Sequence, residues 1–217
     1  MSVIARLTFG RQAAWLLFFG SILFAWAALF AMQPDIQLPA GWQAIGADYL
    51  ASLCQPTAAN AGYGAIFAMW ALMSLAMMAP TAFPALRTFS DLRHSGAATP
   101  ASFLSLFAGY LTVWIGFSAI AALLQVALAA QGVLDPWGRS TLTVFNAFLL
   151  ALAGAYQFSA LKAACLRSCQ SPMVFFMGKW RDGNAGAFRM GLDLGAVCLG
   201  CCWALMLLAF VAGTMNL

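Results

Sequence analysis

Five stretches of the chain, Gln12–Gln33, Ala61–Leu86, Ser102–Ala130, Thr141–Leu161 and Phe188–Leu217, are nearly free of charge and long enough to cross a lipid bilayer as helices. A crossing takes about 20 apolar residues at a rise of 1.5 Å each. The pattern predicts an all-α fold, a polytopic transmembrane helix bundle of five spans. It forms one integral membrane domain over residues 1–217, with no soluble domain, low-complexity tract or internal repeat. Composition agrees: 64% of residues are hydrophobic and 7% charged, against roughly a quarter charged in soluble proteins.

The first run resembles a signal peptide with an Ala25–Trp26–Ala27 cleavage site, but it is longer than the roughly 7 to 15 residues of an h-region, so an uncleaved anchor is expected. Orientation follows from Lys and Arg. Arg6, Arg11, Arg87, Arg93, Lys162, Arg167, Lys179, Arg181 and Arg189 all fall on one side of the five spans, and only Arg139 falls on the other, with Asp35 and Asp48. The basic side is cytoplasmic by the positive-inside rule, so the amino terminus lies inside and the carboxyl terminus outside. A bacterial inner (cytoplasmic) membrane is the expected location. The net charge of +4 is scattered over short loops and makes no continuous basic face, which argues against a nucleic-acid partner.

The chain has no Glu and a single His, His94, in the polar loop DLRHSG. That leaves Asp, Cys and Met as the carriers of chemistry and excludes most hydrolases and carboxylate-rich metal cages. No nucleophile–base pair or nucleotide-binding loop supports catalysis.

Cys198, Cys201 and Cys202 stand at i, i+3 and i+4 in the fifth span, and so share a helix face. Cys198 is nine residues beyond Arg189, about 13 Å along the axis and near mid-membrane. Cys165 and Cys169 are likewise spaced i, i+4 if Lys162–Gln170 continues the fourth helix. In the second span Met69, Met73 and Met77 recur every four residues, with Met77 at a similar depth, about 15 Å from the inner boundary. Thiolates and thioethers select Cu(I), and thiolates alone also suit Zn(II). An iron–sulfur cluster fits worst, since its characteristic Cys runs are missing. The competing reading is packing, because Cys behaves as a small hydrophobe and Met as an adaptable filler. A reducing cytoplasm argues against disulfides among the five inner thiols, and Cys54 stands alone outside.

Asp193 follows Arg189 by one turn, which suggests an i, i+4 ion pair at the inner interface; the functional reading makes it a cation acceptor below Cys198. Gln125, Asn146, Gln157 and Asn216 suit interhelical hydrogen bonds. Gly191 and Gly195 form GxxxG, a signature of close helix contact. Pro80 and Pro84 should kink or end the second helix, freeing carbonyls that need another donor or an ion. The apolar run SPMVFFMGKW after Cys169 reads as interfacial or re-entrant.

Several motifs together resemble a bacterial family: W-x-x-M-x-x-A-M-M-x-P at Trp70–Pro80, GYLTVWIGFS at Gly109–Ser118, YQFSALKAACLRSCQSP at Tyr156–Pro172, and CLGCCWALM through to MNL. It is the predicted metal-binding integral membrane protein family, also called domain of unknown function 2182. The resemblance covers about Ala61–Leu217 and implies metal binding. Relatives often carry His within the CLRSC segment and shortly before CLGCC, where this chain has Ser168 and Leu194, which implies a changed or vacant site. Relatives also continue past MNL, so the chain reads as a shortened homologue or an incomplete sequence.

The expected function is Cu(I) handling, with Zn(II) second, and delivery to a membrane enzyme. The expected ligands are Cys198, Cys201 and Cys202, with Met73 and Met77 facing them and Cys165 and Cys169 at the cytoplasmic mouth. The alternative is a non-catalytic accessory subunit of a larger membrane complex with a degenerate metal site. Partners are the lipid bilayer and, in either case, a membrane protein.

Overall fold

The computed structural model describes residues 3–31, 62–92, 99–135 and 138–213. Cys54, His94, Asn216, Asp35 and Asp48 lie outside them. The described residues form an all-α bundle whose only pairing of extended backbone is the isolated bridge Leu134–Ser140. The helices are α1 (Val3–Ala31), α2 (Tyr63–Met78), the 3-10 turn Pro80–Ala82, α3 (Phe83–Leu92), α4 (Pro100–Ala130), α5 (Thr143–Gln157), α6 (Ala160–Gln170), α7 (Pro172–Lys179), α8 (Gly183–Met206) and α9 (Ala209–Ala212).

Four segments are long and apolar enough to cross a membrane: Gln12–Phe30, Tyr63–Leu92, Pro100–Ala130 and Gly183–Ala212. The fourth expected span differs. Helix α5 has 15 residues, about 22 Å against a core of about 30 Å. It reaches a spanning length only with α6, which leaves it at a 61° bend. Lys162–Gln170 therefore does not simply continue the fourth helix. At the bend the amides of Phe158 and Ser159 bond back three residues, to Ala155 and Tyr156, a 3-10 tightening that ends α5. The last span also differs: α8 starts at Gly183, five residues before the expected Phe188, and is interrupted after Met206. Gly183 has φ +76°, which a side-chain-bearing residue adopts only with strain, so the helix starts there.

The chain divides into two compact units. The first comprises the described parts of residues 1–24, 75–115 and 160–201, and the second those of 25–74, 116–159 and 202–217. In the first, α4 and α8 approach to backbone contact. A Cβ on Gly191 would overlap the Leu106 carbonyl, one on Gly109 the Phe188 carbonyl, and one on Gly195 would lie 2.9 Å from Val113. The GxxxG pair thus serves contact within the chain. Trp15 of α1 meets Phe83 and Phe103, and Phe89 of α3 meets Phe176 and Trp180, fixing α7 on α3. In the second unit, Trp70 is fully buried and its Nε1 donates to Gln125 Oε1 at 2.7 Å, while Ser74 and Ser118 hydroxyls meet at 3.0 Å. Gln125 makes the interhelical bond expected of it. Asn146 instead donates to the Ser140 carbonyl at the start of its own helix.

Large apolar side chains such as Leu16, Leu17, Leu23, Ile120, Leu123 and Val144 face outward. Large apolar side chains exposed in this number suit lipid rather than water.

Candidate metal centre

The centre begins with the break in α2. Pro80 opens a 3-10 turn in which the Ala82 amide bonds to the Ala79 carbonyl, so the Met78 carbonyl loses its normal i+4 donor. Two hydroxyls replace it: Tyr110 donates at 2.6 Å and Thr81 at 2.7 Å. Both hydroxyls also reach Cys198 of α8, at 3.3 Å and 3.4 Å from its Sγ. The freed carbonyl expected from Pro80 is present, and it organises the oxygen groups beside a thiol.

The bend after α5 lays α6 beside α8 within the first unit. Cys201 Sγ lies 3.9 Å from Cys169 Sγ, and Cys169 also interacts with Cys198. Cys165 occupies space that a side chain on Gly200 would take, because a Cβ there would come within 2.7 Å of Cys165 Sγ. Lys162 and Cys165 are both in electrostatic reach of Cys201. Cys198 and Cys201 are buried, at 4% and 6% exposure, whereas Cys165, Cys169 and Cys202 are half-buried; the described cysteines form no disulfide with one another.

The remaining expected ligands are placed differently. Cys202 and Met73 fall in the second unit, where Met73 is buried; Met77 is half-buried in the first. Asp193 pairs with Lys179 at 3.5 Å, not with Arg189. The sequence reading missed Tyr110 and Thr81, whereas the small-residue spacing Ala196–Gly200 already pointed to close contact at Gly200. Tyr110 lies in the GYLTVWIGFS run, and Thr81 directly follows the helix-breaking Pro80; those positions were the available signals.

The Cys169–Cys201 pair can be tested against a metal. With metal–sulfur bonds of about 2.3 Å, two sulfurs at their 3.9 Å separation subtend about 115° at an ion. That angle belongs to trigonal or tetrahedral coordination and calls for further donors. Among the described residues no three side chains of His, Cys, Asp or Glu are grouped to hold an ion. The pair alone would supply two sulfur donors, and Cys165 and Cys198 interact with it. A sulfur set of this kind is soft and suits a soft metal.

Neither the curated proteins nor the solved structures yield a match to the chain. A family model does match, over residues 67–217, and its description is PpoB2, copper chaperone. The match takes in the α2 break, Tyr110, every described cysteine and both methionines singled out above. On the extent of that match, the chain belongs to the PpoB2 copper chaperone family.

Proposed function

We propose that the protein is a multi-pass protein of the bacterial inner membrane, a single membrane domain that holds Cu(I) on thiols of α6 and α8 and passes it to a membrane enzyme. Membership of a copper chaperone family supports copper as the cargo. The oxidation state is inferred from the ligands, since thiolates and thioethers favour Cu(I). The resemblance of the Cys motifs to the predicted metal-binding integral membrane protein family supports the same reading. Cys169 and Cys201 are the primary ligands, completed by rotation of Cys165 or Cys198, with Met77 in the same unit as a thioether donor. Two thiolates on one cuprous ion leave a net negative charge, which Lys162 offsets.

The observation that carries this reading is the 3.9 Å approach of two sulfurs from separate helices. The test is an anaerobic titration of the purified protein with Cu(I) against a chromophoric cuprous chelator, repeated with Zn(II). Stoichiometric Cu(I) uptake that disappears in Cys169→Ser plus Cys201→Ser is expected. Uptake unchanged by that double substitution, or a preference for Zn(II), ends the proposal.

A second reading, an accessory subunit with a degenerate site, is favoured by the missing three-donor group. It predicts no Cu(I) uptake and migration with partner proteins after extraction in mild detergent.

A further inference from the structure

A shallow, open cleft of 590 Å³ runs along α6 and α7 in the first unit, outside the thiol contact. Its lining includes Arg167, Ser168, Ser171, Val174, Phe175 and Lys179. Two cations and two hydroxyls stand on one wall system with apolar side chains, and the apolar surface continues outward. Val174 is 70% exposed and its neighbour Met177 77% exposed. Arg167 is exposed and makes no ion pair among the described residues. Lys179 lies over the Phe175 ring and shares its charge with Asp193 at 3.5 Å, so the cleft keeps a net positive charge carried mainly by Arg167.

We infer that this cleft binds the phosphate headgroup of an anionic phospholipid. A free anion needs only the charge and the hydroxyls. It leaves the exposed Val174 and Met177 unexplained, whereas a lipid lays its acyl chains along them. Basic pockets between helices on the cytoplasmic side are suited to anionic headgroups, and Arg167 and Lys179 fall on that side by charge distribution. Arg presents a planar fork of donors that matches phosphate oxygens. Asp193 limits the role of Lys179, because a headgroup must share that ammonium with a carboxylate. Arg167 is therefore the dominant contact. The inference rests on the membrane placement proposed above, not on the copper ligands.

The test uses native mass spectrometry of the full chain in mild detergent, with phosphatidylglycerol and phosphatidylcholine of matched acyl chains added separately. One cation near a membrane surface contributes about fivefold in binding of an anionic lipid, so phosphatidylglycerol should be retained at least about fivefold better. Arg167→Gln should remove that preference and Lys179→Gln should weaken it less; both side chains are exposed, and circular dichroism checks that the helices persist. Equal retention of the two lipids overturns the inference, as does a preference that survives both substitutions. Displacement of phosphatidylglycerol by excess inorganic phosphate also overturns it, since the cleft would then be a site for the free anion. Flotation with phosphatidylcholine vesicles tests membrane placement separately, and Cu(I) uptake on the same samples tests the thiol site, so each failure can be told from the others.

Discussion

The two units use similar residues in opposite ways. In the first, sulfur meets sulfur or oxygen: Cys201 approaches Cys169, and Cys198 approaches Tyr110 and Thr81. Gly200 leaves room for Cys165. In the second, Met69 and Met73 are buried in a region whose polar contacts are made by other groups, Trp70 with Gln125 and Ser74 with Ser118. A stripe of soft side chains is thus not a ligand set by virtue of its spacing. What differs between the two is whether polar partners and small residues surround the sulfur.

The contrast can be broken most sharply at the thiols. Cys169→Ser plus Cys201→Ser should lower Cu(I) affinity by more than the roughly 100-fold that marks the upper range of losses from outer-shell partners, read by chelator competition. Retained affinity would make the first unit no different from the second. Next in size is Gly191→Ala, whose added methyl meets the Leu106 backbone. Overpacking of this kind costs about 1–3 kcal/mol, seen as a lower melting temperature in detergent, with no matching change expected from Gly116→Ala, where nothing lies within 4 Å.

Smaller effects sharpen the comparison. Tyr110→Phe removes one of two donors to the Met78 carbonyl and should cost about 0.5–1.5 kcal/mol of stability, measured by thermal unfolding of the metal-free protein. Smallest are the methionines. Met77→Leu and Met73→Leu are close in volume and should each cost less than about 1.5 kcal/mol, but only Met77→Leu should weaken Cu(I) binding. Equal losses from the two would bring the second unit into the site.

Much of the fold was legible because a long charge-free run reads as one helix: α4 starts two residues before the expected Ser102, while α1 starts nine residues before Gln12 and the α2–α3 segment ends six after Leu86. Pro80 announced the break in α2, since a missing amide is a property of the residue itself. The bend after α5 carried no such mark. Neither Pro nor Gly occurs in Tyr156–Lys162, and the turn is visible only once α6 is seen beside α8. The site was legible in kind, because thiols at helical spacing are soft donors wherever they point. Which thiols would meet was not, since that depends on the bend and on the absence of a side chain at Gly200. Tyr110 was hidden for a related reason: its role depends on a carbonyl on another helix. The pairing of Asp193 with Lys179 instead of Arg189 shows the same limit, a partner distant in sequence displacing the local one.

The saturated Met78 carbonyl has a consequence for the order of events at Cys198. Tyr110 and Thr81 each own one hydroxyl proton, and both are already given to that oxygen. Toward the sulfur they can offer only lone pairs, so a hydrogen bond at either contact has to come from the S–H. A metal taking this sulfur must expel its hydrogen and leave two oxygens facing an anion, until at least one hydroxyl rotates away from the broken turn. Occupancy at Cys198 is thereby tied mechanically to the backbone around Pro80.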